Sequence, residues 1–289
     1  IGVSLPLKWL ISGEGLDVDR EDLLRKLKAR GVRSIELRTV APTHSPDDVS
    51  AVANMLWDRG FLISVHGRVK SAKTAVSDVF SPLQKILASL RQAKLNITVH
   101  PIKGDNVAML CALADYVENN DLPVKIALEN NRLLPDKTEG DSAALVLDAV
   151  KKADRACLGI CFDFGHYLYY RLKNFPQEPV IFPPKEFFKR VIHTHIHALN
   201  GLRTHFPLNR HQMPLGDIFD KLSHEYFGLY NIELDFPRFC EIHGIEESLL
   251  GSVDVLRDNL PICAKLYDDI RDNFDGWFSS AMTALDGEQ

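Results

Sequence analysis

Residues 191–217 read VIHTHIHALNGLRTHFPLNRHQMPLGD and hold five of the eleven histidines in the chain. His193, His195 and His197 are spaced by two, so on a strand all three rings point to one face while Ile192 and Ile196 point to the other. A purely structural strand has no reason to give its whole inner face to imidazole. The stretch reads as a strand that carries a metal ligand, followed by a lip loop in which His211 sits between Arg210 and PLGD.

Outward from this stretch, short β-type runs alternate with helical ones along the chain. The strand candidates are 2–4, 34–40, 62–67, 96–101, 124–130, 158–164, 191–197 and 230–235. Between them lie helical patterns such as REDLLRKLKARG, SPDDVSAVANMLWDRG, DNVAMLCALADYVENND, SAALVLDAVKKADR and GDIFDKLSHEY. Ser45 with Pro46 opens the second of these, and Gly31 and Gly60 close the first two. Eight strand–helix alternations predict an α/β fold, a single (β/α)8 TIM barrel. One domain over residues 1–289 is expected, with an extra helical tail from about 261 that carries Trp277 and Phe278.

The strand faces separate this barrel from a doubly wound sheet. Ser64 and His66, Thr98 and His100, Ala127 and Glu129, and Asn231 and Glu233 alternate with Ile63, Val65, Ile97, Val99, Ile126, Leu128, Ile232 and Leu234. A sheet covered by helices on both sides needs apolar residues on both faces. One polar face, ending repeatedly in His, Glu or Asp, fits a barrel whose site lies at the C-terminal ends of its strands.

Composition narrows the class. Lys and Arg number 34 against 39 Asp and Glu, a net charge of −5, so no broad nucleic-acid surface is expected. No apolar run of about 18 residues marks a membrane span, and no export signal is visible. Five cysteines, an odd number without a CxxC pair, fit a reduced, cytoplasmic setting. A homo-oligomer is left open.

The strand ends collect one kind of chemistry. His66 ends strand three, His100 strand four, Glu129 strand five and Asp163 strand six, with His166 three residues on; His195 lies on strand seven, His211 in its loop and Glu233 on strand eight. A carboxylate and imidazole set of this kind suits a divalent metal ion: Zn, Mn, Co or Mg. With no thiolate cluster, a structural zinc site is not expected.

These motifs, GVRSIEL, SVHG, TVHP, ALENN, FDFGH and NIELDF in that order, resemble the xylose isomerase-like metal barrels, which include sugar isomerases, epimerases, inosose dehydratases and endonuclease IV. In the isomerase and epimerase branch the resemblance implies one metal held by Glu129, Asp163, His195 and Glu233. Its Asp-x-x-His implies substrate contact for His166, and PLGD resembles its P-G-x-G loop, with Asp217 a departure. The endonuclease branch implies further metal ligands at His66, His100 and His211, but its Asp-x-His triplet reads Asn209-Arg210-His211 here. Asn ligates zinc poorly. Ala198 replaces the Asp that commonly follows the strand-seven His. His66, His100, His166 and His211 are therefore carried as second-metal or substrate-binding residues.

The expected function is a divalent-metal-dependent sugar or sugar-phosphate isomerase or epimerase, with Glu129 and Glu233 transferring the proton through an enediolate. The alternatives are an endonuclease IV-like phosphodiester hydrolase and an inosose-type dehydratase. The expected partner is a small sugar or polyol, phosphorylated or acidic in one version of the reading, because Arg38, Arg68, Lys70, Lys103, Arg132, Arg203, Arg210 and Arg238 fall at or just past strand ends. Arg68, Arg132, Arg203 and Arg210 are the anion-binding candidates. His193 is expected to support from deeper on the strand, and His197 to sit at the lip. His44, His205, His224 and His243 are expected on the surface or in loops. Glu36 and Arg38 are expected as an internal ion pair, with substrate contact as the rival, and Cys157 and Cys161 as packing residues.

Overall fold

The structure, a computed structural model, describes residues 1–16, 18–208, 215–223, 225–226, 228–236 and 244–259. Eight parallel strands close into a barrel: β1 (Gly2–Pro6), β2 (Ser34–Val40), β3 (Leu62–Gly67), β4 (Leu95–Val99), β5 (Val124–Glu129), β6 (Leu158–Asp163), β7 (Val191–Ile196) and β10 (Asn231–Ile232). Sequence neighbours pair throughout, and β10 returns to lie between β7 and β1. The expected (β/α)8 TIM barrel is the observed architecture. One pair of strands lies outside it: the antiparallel hairpin β8 (Ala198–Asn200) and β9 (Arg203–Phe206) follows β7 directly.

The expected helices form as α2 (Arg20–Ala29), α3 (Pro46–Asp58), α6 (Asn106–Asn119), α7 (Ser142–Ala153) and α10 (Leu215–Ser223). Their starts are set locally. Asp19, Asp105 and Asp141 accept the amide three residues on, and Ser45 the amide of Asp47, satisfying donors that a first helical turn leaves open. The β6-to-β7 connection holds α8 (Phe164–Asn174), and α11 (Ile245–Asp258) follows β10. The helical tail expected from about 261 lies outside the described residues. Among the described residues, no helix is long and apolar enough to cross a membrane.

The period of two along each strand sorts the side chains. Ile35, Leu37, Ile63, Val65, Ile97, Val99, Ile126, Leu128, Ile160 and Phe162 are buried between strands and helices. Burying such a side chain contributes about 1.5–3 kcal/mol, so this apolar seam holds the barrel closed. The opposite face is buried but polar: Ser4, Glu36, Ser64, Thr98, Glu129, Asp163, His193, His195, Asn231 and Glu233. Register aligns this set in layers, with Ser4 beside Glu36 and Glu36 beside Ser64 lower down, and Asp163 beside His195 near the mouth.

Candidate metal centre

β6 runs into α8 without a loop, and Asp163 caps that helix: its Oδ1 accepts the His166 amide at 2.7 Å. The cap turns the carboxylate into the barrel mouth. There Glu129, Asp163, His195 and Glu233 each offer a ligand atom, and these atoms lie within 4.8 Å of one another. Glu129, Asp163 and His195 are fully buried and Glu233 is 3% exposed.

This set fits a cation. His195 Nε2 lies 3.0 and 3.1 Å from the two oxygens of Glu36, and His193 Nε2 lies 2.8 Å from Glu36 Oε2. Glu36 carries no proton to share, since its carboxyl is held low: burial would raise it, and His195 and His193 outweigh burial. Both imidazoles therefore donate to it. With one proton committed to Nε2, His195 turns its Nδ1 toward Glu129 Oε2 and Glu233 Oε2, each at 3.3 Å. A bare lone pair aimed at two carboxylates is repulsive, so this edge of the ring takes either a second proton or a cation. His195 Nδ1, Glu129 Oε1 and Asp163 Oδ2 are buried without hydrogen-bond partners. Two like charges about 4 Å apart repel by roughly 4 kcal/mol at an effective dielectric constant of about 20, and three carboxylates meet here.

The electrostatics agree. Burial pushes the Glu129 carboxyl up, and His100 and His195 more than reverse this, holding it well below its ordinary range. Burial likewise opposes ionisation of Glu233, and Arg38 and His195 overcome it. For Asp163 the opposing groups are His166 and His197. The same negative field, from Glu36, Glu233 and Glu129, pushes His195 well above its ordinary value against burial. A divalent ion held by these residues would take the place of that proton.

Two further histidines attach to Glu129. His66 Nε2 and His100 Nε2 lie 3.0 and 3.1 Å from its Oε2, with His66 buried and His100 on the rim. His166 Nδ1 donates to the Asn130 carbonyl at 3.1 Å and lies 3.3 Å from Asp163 Oδ2. His211, Asn209 and Arg210 lie outside the described residues, as do His224, Arg238 and His243.

Three expectations are corrected. Glu36 and Arg38 do not pair. Arg38 Nε lies 3.1 Å from Glu233 Oε1 and its Nη1 donates to the Leu234 carbonyl, while Glu36 turns to His193 and His195. Two residues apart on one strand, they belong to different layers of the barrel. His197 is not a lip residue: it is fully buried, with Nε2 3.0 Å from Asp163 Oδ1. A Cβ on Gly165 would stand 1.9 Å from the His197 ring, so the missing side chain there makes room for it. His205 is not a surface residue. The hairpin β8–β9 brings it back over the mouth, stacked on His197 with ring centroids 4.2 Å apart. Burial and the neighbouring His197 push His205 down to about 4, so its ring is neutral. Of the rim cations, Arg38 is committed to Glu233, and Arg132 Nη1 lies 3.4 Å from Thr204 Oγ1 on the hairpin, whereas Arg68 and Arg203 are exposed.

Sequence reasoning passed over Glu36 as the acceptor of His195, and over the hairpin. Asn200-Gly201 was the signal for the latter, since Asn-Gly between two β-type runs marks a tight turn. Cys161 lies among the axial residues of β6; burial pushes its thiol up and keeps it protonated, which suits a packing residue.

Fold and site together define a (β/α)8 barrel with a buried, carboxylate- and imidazole-lined mouth. Among solved structures, the chain is similar to an L-ribulose 3-epimerase, at 13% identity and a TM-score of 0.56 over 95% of this chain and 96% of the other. It is similar to AsbF of Bacillus anthracis, a probable 3-DHS dehydratase involved in petrobactin synthesis, at 12% identity and 0.55 over 89% and 99%. A sugar phosphate isomerase/epimerase from Parabacteroides distasonis matches at 16% identity and 0.51 over 88% and 96%. No protein-family model matches the sequence, and a comparison with curated proteins finds no match.

Proposed function

We propose that this chain is a divalent-metal-dependent isomerase or epimerase of a small sugar or sugar phosphate. The observation that carries the reading is Nδ1 of His195, oriented by Glu36 and aimed between Glu129 and Glu233 with no hydrogen-bond partner of its own. Glu129, Asp163, His195 and Glu233 would hold the ion, which when bound supplies Lewis-acid polarisation of a substrate carbonyl and its neighbouring hydroxyl.

The chain's own residues do the rest. Glu129 and Glu233 come from strands on either side of the β6–β7 pair; in each direction of the reaction one acts ionised as the base and the other acts protonated as the acid. One removes the proton from the carbon beside the carbonyl, and the electron pair of that bond moves toward the carbonyl oxygen. The other returns a proton to the carbon, or to its neighbour for an isomerisation. Arg38 holds Glu233 in place through its Oε1. His66, His100 and His166 would contact substrate hydroxyls, and the exposed Arg68 and Arg203 would meet a substrate phosphate. The fold shared with an epimerase and a sugar phosphate isomerase/epimerase supports this reading.

The likeness to a probable dehydratase supports a second version, in which the same proton abstraction is followed by loss of a neighbouring hydroxyl as water. One experiment tests both. Manganese-loaded protein is incubated with ketoses and their phosphates in heavy water and followed by NMR. Deuterium entering beside the carbonyl, lost in Glu129→Gln and Glu233→Gln, supports proton transfer, and an unsaturated product selects the dehydratase version. Exchange that survives in both variants, or none with any sugar, overturns the reading.

A further inference from the structure

Beside the proposed centre lies a second group that the one-ion reading does not use. Asp163, His166, His197 and His205 offer ligand atoms within 4.8 Å of one another. His205 reaches this place only because the hairpin doubles back. Its backbone adopts the left-handed region, φ 64°, which a residue with a side chain adopts only when its surroundings hold it there. Two contacts hold it: the His205 amide donates to His197 Nδ1 at 2.8 Å, and the Asp235 amide donates to the His205 carbonyl at 3.0 Å. The ring is thereby stacked on His197 and edge-on to His166, with centroids 4.2 and 4.9 Å away.

The tautomers divide the roles. His166 Nδ1 donates to the Asn130 carbonyl, so Nε2 bears the lone pair; that atom is buried and has no hydrogen-bond partner. An imidazole whose far nitrogen donates to a carbonyl is the usual form of a metal-ligating histidine. His197 is the reverse. With Nδ1 accepting the His205 amide, its proton sits on Nε2, 3.0 Å from Asp163 Oδ1. Nδ1 also lies 3.2 Å from the Ala198 carbonyl, but the shorter contact with the amide sets the tautomer; Nε2–H then faces Asp163 without completing a hydrogen bond and is not a ligand. Asp163 Oδ2 remains buried and without a hydrogen-bond partner. An apolar core would not converge a carboxylate and three imidazoles in this way, and the Glu36 cluster shows the contrast: there the donors of His193 and His195 are taken up by the carboxylate, and no cation is needed.

We propose that Asp163, His166 and His205 form a second divalent-cation site, next to the first and sharing Asp163 with it, closed by the β8–β9 hairpin. Two imidazoles and one carboxylate suit Zn²⁺ and leave coordination positions open for water or substrate oxygen. The site goes beyond the one-ion reading.

The test is metal stoichiometry. The chelator-treated chain is titrated with Zn²⁺ and the bound ion counted by elemental analysis after gel filtration. His205→Asn and His205→Gly remove the imidazole while keeping residue types that accept a positive φ. Each His205 variant is expected to hold one ion fewer than wild type, and to keep the ion that His195→Ala loses. His205 variants that bind as many ions as wild type overturn the second site. His195→Ala that binds as many as wild type overturns the first, so the two failures are told apart. A chain that binds no zinc overturns both.

Discussion

The two oxygens of Glu36 lie 3.0 and 3.1 Å from Nε2 of His195, and this contact, made on the side away from the mouth, decides which nitrogen of that ring is free. Glu36 is itself pinned by Ser4 Oγ at 2.6 Å and by His193 at 2.8 Å, so the ring orientation is inherited from two other strands of the barrel, β1 and β2, and from a second histidine of its own strand.

Replacing Glu36 by Gln keeps the shape but gives one of the two histidines an N–H to face. One imidazole must then change tautomer. Outer partners of this kind typically matter by about 10–100-fold in metal affinity. Glu36→Gln is expected to weaken zinc binding by about that factor in a competition titration with a chromophoric chelator. Unchanged affinity would remove Glu36 from this role.

Removing the metal is expected to destabilise the fold, because a ligand bound only by the native state adds about 2.7 kcal/mol when free ligand is 100 times its dissociation constant. Thermal denaturation with and without excess chelator should differ by several degrees. The difference should shrink in His195→Ala.

Gly165 lies where β6 hands over to α8, and its bare backbone admits His197. A Cβ there would stand 1.9 Å from the ring, which neither element can yield cheaply. Gly165→Ala is expected to lower stability by about 1–3 kcal/mol, the ordinary range for overpacking. It should also displace His197 from Asp163. Urea denaturation measures the first, and a stability equal to wild type would contradict the contact.

Arg68, just past the end of β3, and Arg203, at the turn of the β8–β9 hairpin, are exposed. If they meet a phosphate, Arg68→Ala and Arg203→Ala raise KM for a phosphorylated substrate about tenfold, the size of one charge-assisted contact of about 1.5 kcal/mol, and leave an unphosphorylated analogue unaffected. Equal effects on both substrates would show that the anion is not what they recognise.

Much of this barrel was legible in the chain. Alternation of two along a strand is a local property, so Ile63 against Ser64 or Ile232 against Asn231 already separated the helix side from the axis. The same period put Glu129 and Glu233 on the inner face, and parallel strands of similar length brought their C-terminal ends to one mouth. Asp163, His195 and both glutamates were recognisable as neighbours on that ground. What the period cannot state is which partner a side chain meets across the barrel. Arg38 and Glu36 share a face and a strand, yet one reaches Glu233 and the other His195, because strand register places them in different layers. His205 is the stronger case. Nothing in its immediate sequence marks it as a site residue; only the path of the hairpin, held by a left-handed backbone and the amide bond to His197, sets its ring beside His166. The sequence by itself determined the polar axis and the residues at its mouth, since those depend on spacing alone. The tertiary structure decided the tautomer of His195 and the recruitment of His205, since both depend on contacts between segments that spacing does not relate.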